Sequence, residues 1–255
     1  MIQIILHGYN GKMGKILQEI IEQDPESKVI AGIDNFNTCT SAHHPVFTSF
    51  DDSIPKADVI IDFSHYSAVP ALLEYCVKTH TPVIICTTGL DDNTNHLIKN
   101  ASEHIPVFKS ANMSLGINVI AEAIKSVVPA LEDTFNIEII EKHHNKKADS
   151  PSGTALFLAD EINKACSVKK NYIFGRHSKN DSCDITDLGI HAVRGGTIPG
   201  EHTIIFAGND EIIEIKHTAL SKRIFATGAL EAAKFLVTAE KGLYNMSDIF
   251  GNNSR

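Results

Sequence analysis

The sequence predicts an α/β protein in two parts: a parallel sheet covered by helices on both faces, and a smaller α+β unit with a mixed sheet. Three observations predict it. From Ile2 to Lys109, short apolar β-prone runs alternate with helical patterns, as parallel strands buried on both faces do. The first strand enters the first helix through a glycine-rich turn, Gly8-Tyr9-Asn10-Gly11-Lys12-Met13-Gly14. Between Ile185 and His217 three strands follow one another with no helix between them, which requires an antiparallel or mixed sheet.

In chain order, Ile2 to His7 is a β-prone run that stops at Gly8. A helical pattern follows the turn, with Ile16, Leu17, Ile20 and Ile21 on one face. Strand, glycine turn and helix N-terminus in that order form a dinucleotide-binding signal. Glycine lets the backbone approach a pyrophosphate, and the free N–H groups of the helix favour its charge. Asn10 stands where the middle glycine is usual, and asparagine tolerates left-handed backbone. The next strand, Lys28 to Ile33, ends at Asp34, placed to meet the adenosine ribose hydroxyls. Strands at Asp58–Phe63, Pro82–Cys86 and Pro106–Lys109 alternate with helices near Ser67–Thr79 and Asn93–Glu103. Together they predict a Rossmann-like parallel-sheet dinucleotide domain. Ligands in such sheets sit at the C-terminal strand ends. Thr87, Thr88 and Asn112 therefore lie where a nicotinamide ribose or amide would be held.

The rhythm then changes. Leu115–Leu131 reads as a helix, Phe135–Ile140 as a strand and Thr154–Ala165 as a helix. Gly175–Cys183 is a polar, low-propensity loop. Strands at Ile185–Val193, His202–Phe206 and Ile212–His217 follow, the last two joined by a Gly208-Asn209-Asp210 hairpin turn. A helix over Lys222–Lys241 and a short polar tail close the chain, and the helix is expected to return to the first sheet. The expected domains are 1–113 with 222–255 for the dinucleotide, and 114–221 for substrate binding and oligomerisation.

The 255 residues carry a formal net charge of -8, with 43% hydrophobic and 21% charged residues. That is an ordinary globular composition, and its sign argues against nucleic acid as a partner. No apolar run approaches the roughly 18 residues a membrane span needs. The N-terminus lacks a basic n-region and reads as a strand rather than a signal peptide. Five scattered cysteines with no Cys-x-x-Cys pair read as reduced thiols. A soluble cytoplasmic protein with no membrane partner is the expectation.

The densest chemistry lies in Glu141–Leu156, EKHHNKKADSPSGTAL. Three lysines outnumber Glu141 and Asp149 in an otherwise acidic chain, which suggests a small anionic ligand. His143 and His144 follow a strand, where successive side chains diverge, so they serve different roles rather than share an ion. Metal-binding spacing is absent, and no metal is expected. Histidine titrates near neutrality and suits proton transfer. Lys147 can act as a point cation or as a proton donor, with Asp149 orienting the loop. Ser152 is placed to cap the next helix, and the N–H groups of Gly153 and Thr154 form a seat for a carboxylate.

The chain resembles the dihydrodipicolinate (4-hydroxy-tetrahydrodipicolinate) reductase family along essentially its whole length. The motifs that carry this are Gly8-x-x-Gly11-Lys12-Met13-Gly14, Asp62-Phe63-Ser64, Thr87-Thr88-Gly89, Ala111-Asn112-Met113-Ser114 and Glu141-x-His143-His144-x-x-Lys147-x-Asp149-x-Pro151-Ser152-Gly153-Thr154-Ala155. Arg194-Gly195-Gly196 and Gly200-Glu201-His202 complete the set. The resemblance implies NAD(P)H-dependent reduction of a cyclic dianionic imine to tetrahydrodipicolinate with loss of water, in diaminopimelate and lysine biosynthesis. By it, His143 is the catalytic proton donor and acceptor and Lys147 the second proton donor. His144, Ser152, Gly153 and Thr154 bind the substrate's carboxylates. Gly8, Tyr9, Asn10, Gly11, Lys12, Met13, Asp34, Cys86, Thr87, Thr88, Ser110, Ala111, Asn112 and Met113 form the NADH or NADPH site. It also implies a homotetramer assembled through the second sheet, and two domains that close on each other.

Two positions depart from the family pattern. Cys86 stands where glycine is common, and Asn35 and Phe36 follow the ribose acid where many members have an arginine for a 2′-phosphate. Two other readings exist. A sugar or amino-acid dehydrogenase leaves the lysine-rich loop with less to do, and a non-catalytic dinucleotide sensor has no use for His143 and Lys147 beside an anion seat.

Overall fold

The computed structural model describes residues 1–35, 43–51, 53–110, 112–177 and 183–251. Phe36, Cys39, Ala111 and the centre of the Gly175–Cys183 loop lie outside the described residues. The chain divides into two compact units, Met1–Ser114 with Lys222–Arg255, and Leu115–Ser221.

Unit 1 is built on seven strands: β1 (Ile2–His7), β2 (Ser27–Ile33), β3 (Val46–Phe47), β4 (Val59–Asp62), β5 (Val83–Ile85), β6 (Pro106–Lys109) and β12 (Gly242–Tyr244). Their order is β12-β6-β5-β4-β1-β2-β3, and every pairing is parallel. The run β3-β2-β1-β4-β5-β6 is the doubly wound order, with its switch point between β1 and β4. Strand periodicity sends Ile5, Ile33, Ile60, Val83, Ile85 and Val107 to one face. There they pack on Val69, Leu72, Leu73 and Cys76 of α2 (Val69–Thr79) and on Ile98 and Ala101 of α3 (Asp92–Ser102). On the other face α1 (Lys12–Glu22) packs beside α6 (Arg223–Leu236), which also lies on β4, β5 and β6. Phe108 meets Phe235 of α6 edge to face at 6.4 Å.

Unit 2 has five strands in the order β11-β10-β7-β9-β8. They are β7 (Asn136–His143), β8 (Asn171–Ile173), β9 (Asp187–Arg194), β10 (Glu201–Ala207) and β11 (Ile212–Thr218). β7, β8 and β9 are mutually parallel, and β10 runs antiparallel to β7 and β11, so the sheet is mixed. Helices α4 (Leu115–Leu131) and α5 (Gly153–Ala165) pack on each other. Both bury one sheet face through Ile137, Ile139, Leu188, Ile190, Ile204 and Phe206. The opposite face carries half-buried Glu138, Ile140, Lys142, Thr203 and Ile205.

Several elements differ from expectation. The strand expected to end at Ile140 runs on to His143, because its pairing with β9 and β10 continues through that end. The closing helix stops at Leu236 rather than Lys241, and the tail supplies β12 and α7 (Met246–Gly251). Strands β3, β8 and β12 have two or three residues each and, unlike the equally short β5, no run of buried apolar residues to mark them. The described cysteines Cys76, Cys86, Cys166 and Cys183 are free thiols. Among the described residues no helix is long and apolar enough to cross a membrane.

Candidate active site

In unit 1 the parallel strands end on one side, and their ends carry the residues expected to hold a dinucleotide. Gly8 has φ +82°, and a Cβ there would sit 2.6 Å from the Phe63 carbonyl oxygen, so the turn after β1 lies directly over the end of β4. At Gly14 a Cβ would stand 2.4 Å from the carbonyl oxygens of Gly8 and Tyr9. These two glycines bring turn and helix together. The N-terminus of α1 begins after Gly11 without a side-chain cap, so its N–H groups are not satisfied by the chain's own cap, as an anion seat requires. Asp34 accepts the Asn10 N–H at 2.9 Å, which fixes its carboxylate beside the glycine turn. The Tyr9 ring is buried against Gly32, where a Cβ would fall 2.3 Å from it. Lys12 is exposed and Met13 half-buried.

Around the switch point Asp62 is fully buried. It accepts the Ser64 N–H at 3.1 Å and the Thr87 hydroxyl at 2.7 Å. Its Oδ1 also lies 2.9 Å from Nδ1 of His7, without the alignment of a hydrogen bond. The Thr87 hydroxyl, expected at the nicotinamide, is thus occupied within the chain, while Thr88 is exposed. Cys86 is buried, and burial, with the Asp62 charge behind it, holds its thiol well above the usual range. The Ser110 hydroxyl donates to the Asn112 carbonyl at 2.8 Å, and Asn112 Oδ1 accepts the Ser114 N–H at 2.9 Å. Gly228 of α6 supports this segment from beneath: a Cβ there would be 1.7 Å from the Met113 carbonyl oxygen.

The second cluster grows out of β7. Its two-residue period places Ile137, Ile139, Glu141 and His143 on the helix-covered face, so the apolar core runs directly into a polar site beneath the start of α5. Glu141 is fully buried. Its carboxylate accepts two bonds from Arg194 at 2.7 Å each, the His143 Nδ1–H at 2.7 Å and the Ser152 N–H at 2.9 Å. Burial pushes this carboxyl upward, but the bonds from Arg194, His143 and Ser152 outweigh it and leave it below the usual range. Because Nδ1 is committed to Glu141, Nε2 of His143 is the atom left to exchange a proton. Gly200 faces that atom, and a Cβ there would lie 3.1 Å from Nε2.

Ser152 caps α5 by accepting the Ala155 N–H at 3.2 Å, and its hydroxyl also meets Nε2 of His202 at 2.9 Å. Gly153 is exposed, with open space where a Cβ would be, and Thr154 is half-buried beside it. Lys147 pairs with Asp149 at 2.8 Å. That ammonium holds the Asp149 carboxyl below its usual range, with the backbone N–H groups of Asp149 and Gly153 contributing. His144, half-buried, opens a turn in which its carbonyl accepts the Lys147 N–H at 3.1 Å. The cluster therefore combines an imidazole, an ammonium and the start of a helix.

Three members of this cluster carried no role in the sequence reading: Glu141, Arg194 and His202. All three lie in quoted motifs. The available signal was that Glu141 precedes His143 by two residues in a strand and so shares its face.

The family model described as "Dihydrodipicolinate reductase, N-terminus" matches residues 2–113, and "Dihydrodipicolinate reductase, C-terminus" matches residues 116–250. The chain belongs to the dihydrodipicolinate reductase family. A 4-hydroxy-tetrahydrodipicolinate reductase of Caldanaerobacter subterraneus subsp. tengcongensis is 48% identical over 249 residues, covering 98% of each chain. Another, of Clostridium tetani, is 47% identical over 96% of each. Among solved structures, a dipicolinate-bound dihydrodipicolinate reductase from Paenisporosarcina sp. TG-14 superposes with a TM-score of 0.79 at 22% identity, over 96% of this chain and 97% of that one. Membership of this family carries its reaction, the NAD(P)H-dependent reduction of 4-hydroxy-tetrahydrodipicolinate with loss of water, a step of diaminopimelate and lysine biosynthesis. The chain is an oxidoreductase on a Rossmann-like fold.

Proposed function

We propose that His143 is the principal proton donor and acceptor of this reduction and Lys147 the second donor. On this reading Gly153 and Thr154, with Ser152 and His144, seat the carboxylates of a small dicarboxylate substrate in unit 2. Unit 1 holds the dinucleotide through the Gly8–Met13 turn, Asp34, Cys86 to Thr88 and Ser110 to Met113. The observation that carries the reading is the His143 ring, tied at Nδ1 to a buried carboxylate and open at Nε2, on the strand that leads to the exposed start of α5.

The reduced nicotinamide supplies a hydride. Loss of water places a proton on the departing hydroxyl and removes one from the neighbouring carbon. Hydride addition is then completed by one proton delivered to the ring. His143, whose tautomer is set by Glu141, suits the transfers that go both ways. Lys147 begins as a cation and suits the transfer that only gives. The α5 N-terminus and the lysine-rich loop favour a dianion over a neutral sugar.

With dinucleotide oxidation followed by absorbance, His143→Ala and Lys147→Ala should each lower kcat by about 10²-fold or more, with the Kd for NADH unchanged. Near-wild-type rates in both variants would overturn the role assignment.

Asp34 beside the turn, followed by Asn35 rather than a cation, favours free ribose hydroxyls over a 2′-phosphate. NADH is therefore expected to serve at least as well as NADPH, even with Lys12 exposed nearby. A kcat/KM favouring NADPH by more than about tenfold, or about 1.4 kcal/mol, would contradict this. The sheet face of unit 2 that α4 and α5 leave open supports the homotetramer expected of the family, which sedimentation would test.

A further inference from the structure

We infer that Glu141 and Arg194 are positioning residues, a single buried ion pair that sets the proton donor and the carboxylate seat at a fixed spacing. This rests on the reading of His143 and Ser152–Thr154 given above.

The two oxygens of Glu141 serve different partners. Oε2 accepts the His143 Nδ1–H, and Oε1 accepts the N–H of Ser152, the cap of α5. One rigid group thus aims the His143 ring and anchors the start of the helix proposed to receive a substrate carboxylate. A carboxylate with no exposed surface loses its hydration, and that cost must be met by aligned charged partners. Arg194 meets it with a two-pronged bond, one nitrogen to each oxygen. Arg194 is itself held, since it donates to the carbonyls of Val193 and Asp149, and the latter bond ties in the Lys147–Asp149 loop. A structural ion pair alone would not need to bond the proton-transfer ring, the helix cap and the lysine loop together.

Charged and titratable groups face His143 from each neighbouring element. Glu141 faces it from its own strand and Arg194 from β9, opposite it in register. The His202 ring of β10 stands edge to face at 5.1 Å, and His217 of β11 lies opposite His202. His144 and the Lys147–Asp149 pair lie on the adjoining loop. Lys142, next in sequence, pairs with Glu201 instead. Glu141 is thus the anion in bonding contact with the ring, and Arg194 the cation that balances it.

The test measures kcat, KM and their pH profiles for Glu141→Gln and Arg194→Gln, with His143→Ala as reference, in the full-length protein. ¹⁵N NMR of the His143 ring accompanies them. Removing the anion makes the imidazolium harder to keep, so Glu141→Gln should move the pH limb that reports the proton donor to lower pH and reduce kcat at least tenfold. Removing the cation should move the same limb to higher pH. Both variants should weaken substrate KM and leave the NADH Kd within twofold, and Glu141→Gln should reduce the wild-type preference for the proton on Nδ1 in the neutral ring, because the carboxylate that accepts it is gone. Merely structural roles would not give opposite shifts.

If His143→Ala keeps its rate, the underlying reading fails. If His143→Ala is inactive while the limb and ring tautomer stay put in both glutamine variants, this inference alone fails. Should Glu141→Gln not fold, the upward shift in Arg194→Gln still decides, and its absence overturns the proposal.

Discussion

His202 is the side chain whose charge state is most constrained by its surroundings. Burial, reinforced by the neighbouring His143, lowers its pKa to about 4, and its Nδ1 has no hydrogen-bond partner among the described residues. In the unfolded chain a histidine takes up a proton as pH falls through about 6.5, whereas His202 in the fold resists until about 4. Its contribution is fully present at pH 7 and is lost progressively as pH falls towards 4, about 3 kcal/mol in all. His44 and His217, also lowered by burial, act in the same window, so a difference isolates the effect. Urea denaturation at pH 7 and pH 4.5 should show a smaller loss of stability for His202→Gln than for the wild type, by about 2 to 3 kcal/mol. Equal losses would mean that His202 is not held neutral. Glu141, held below its ordinary range, contributes above its unfolded value and loses that contribution only at still lower pH. At this scale the sequence disclosed what lies close together along the chain. His143, Lys147 and Ser152 to Thr154 announce themselves by type and spacing within one segment. Arg194 lies 53 residues from Glu141 and His202 lies 50 from Ser152, and those pairings exist only once β7, β9 and β10 are in register.

Among the elements, apolar patterning decided what could be read. β1, β6 and α4 have the bounds their apolar patterns imply, the strands as short apolar runs and the helix by its repeated period. The glycine turn was legible for a different reason, since backbone geometry there admits nothing larger. Short edge pieces leave no such trace. β3 and β12 pair only through a few backbone bonds at the two borders of the parallel sheet, and neither needs a patterned run. α6 was overextended because Val237 to Lys241 carries no residue that breaks a helix on sight. The chain nevertheless turns there to reach β6, where Tyr244 packs on Phe235 at 5.4 Å. The Cβ-free approach of Gly228 to the Met113 carbonyl shows the same limit. A glycine inside a helical pattern signals a close neighbour without saying which.

For the molecule as a whole, the fold class was legible because the two halves obey different rules. Alternating strand and helix in the first gives a parallel sheet, and consecutive strands in the second give a mixed one. Net charge and composition bounded the partner without naming it. The identity of the substrate came from motifs rather than from physics, since a cationic seat fits many small dianions.

The division of the chain also has a consequence in time. Unit 2 is a continuous segment, whereas unit 1 is interrupted at Ser114 and resumed at Lys222. A ribosome therefore finishes every strand of the mixed sheet while the parallel sheet still lacks β12 and the helix that covers β4, β5 and β6. Those strands carry an uncovered apolar face until the segment that begins at Lys222 emerges, which exposes the nascent protein to aggregation. A chain stopped after Ser221 should consequently bind NADH at least tenfold more weakly than the full chain in a fluorescence titration, and expose apolar surface to a hydrophobic dye. Full-strength binding by that fragment would show that the sheet closes without its final helix. Otherwise the parallel sheet is complete only once the segment from Lys222 to Tyr244 has been made.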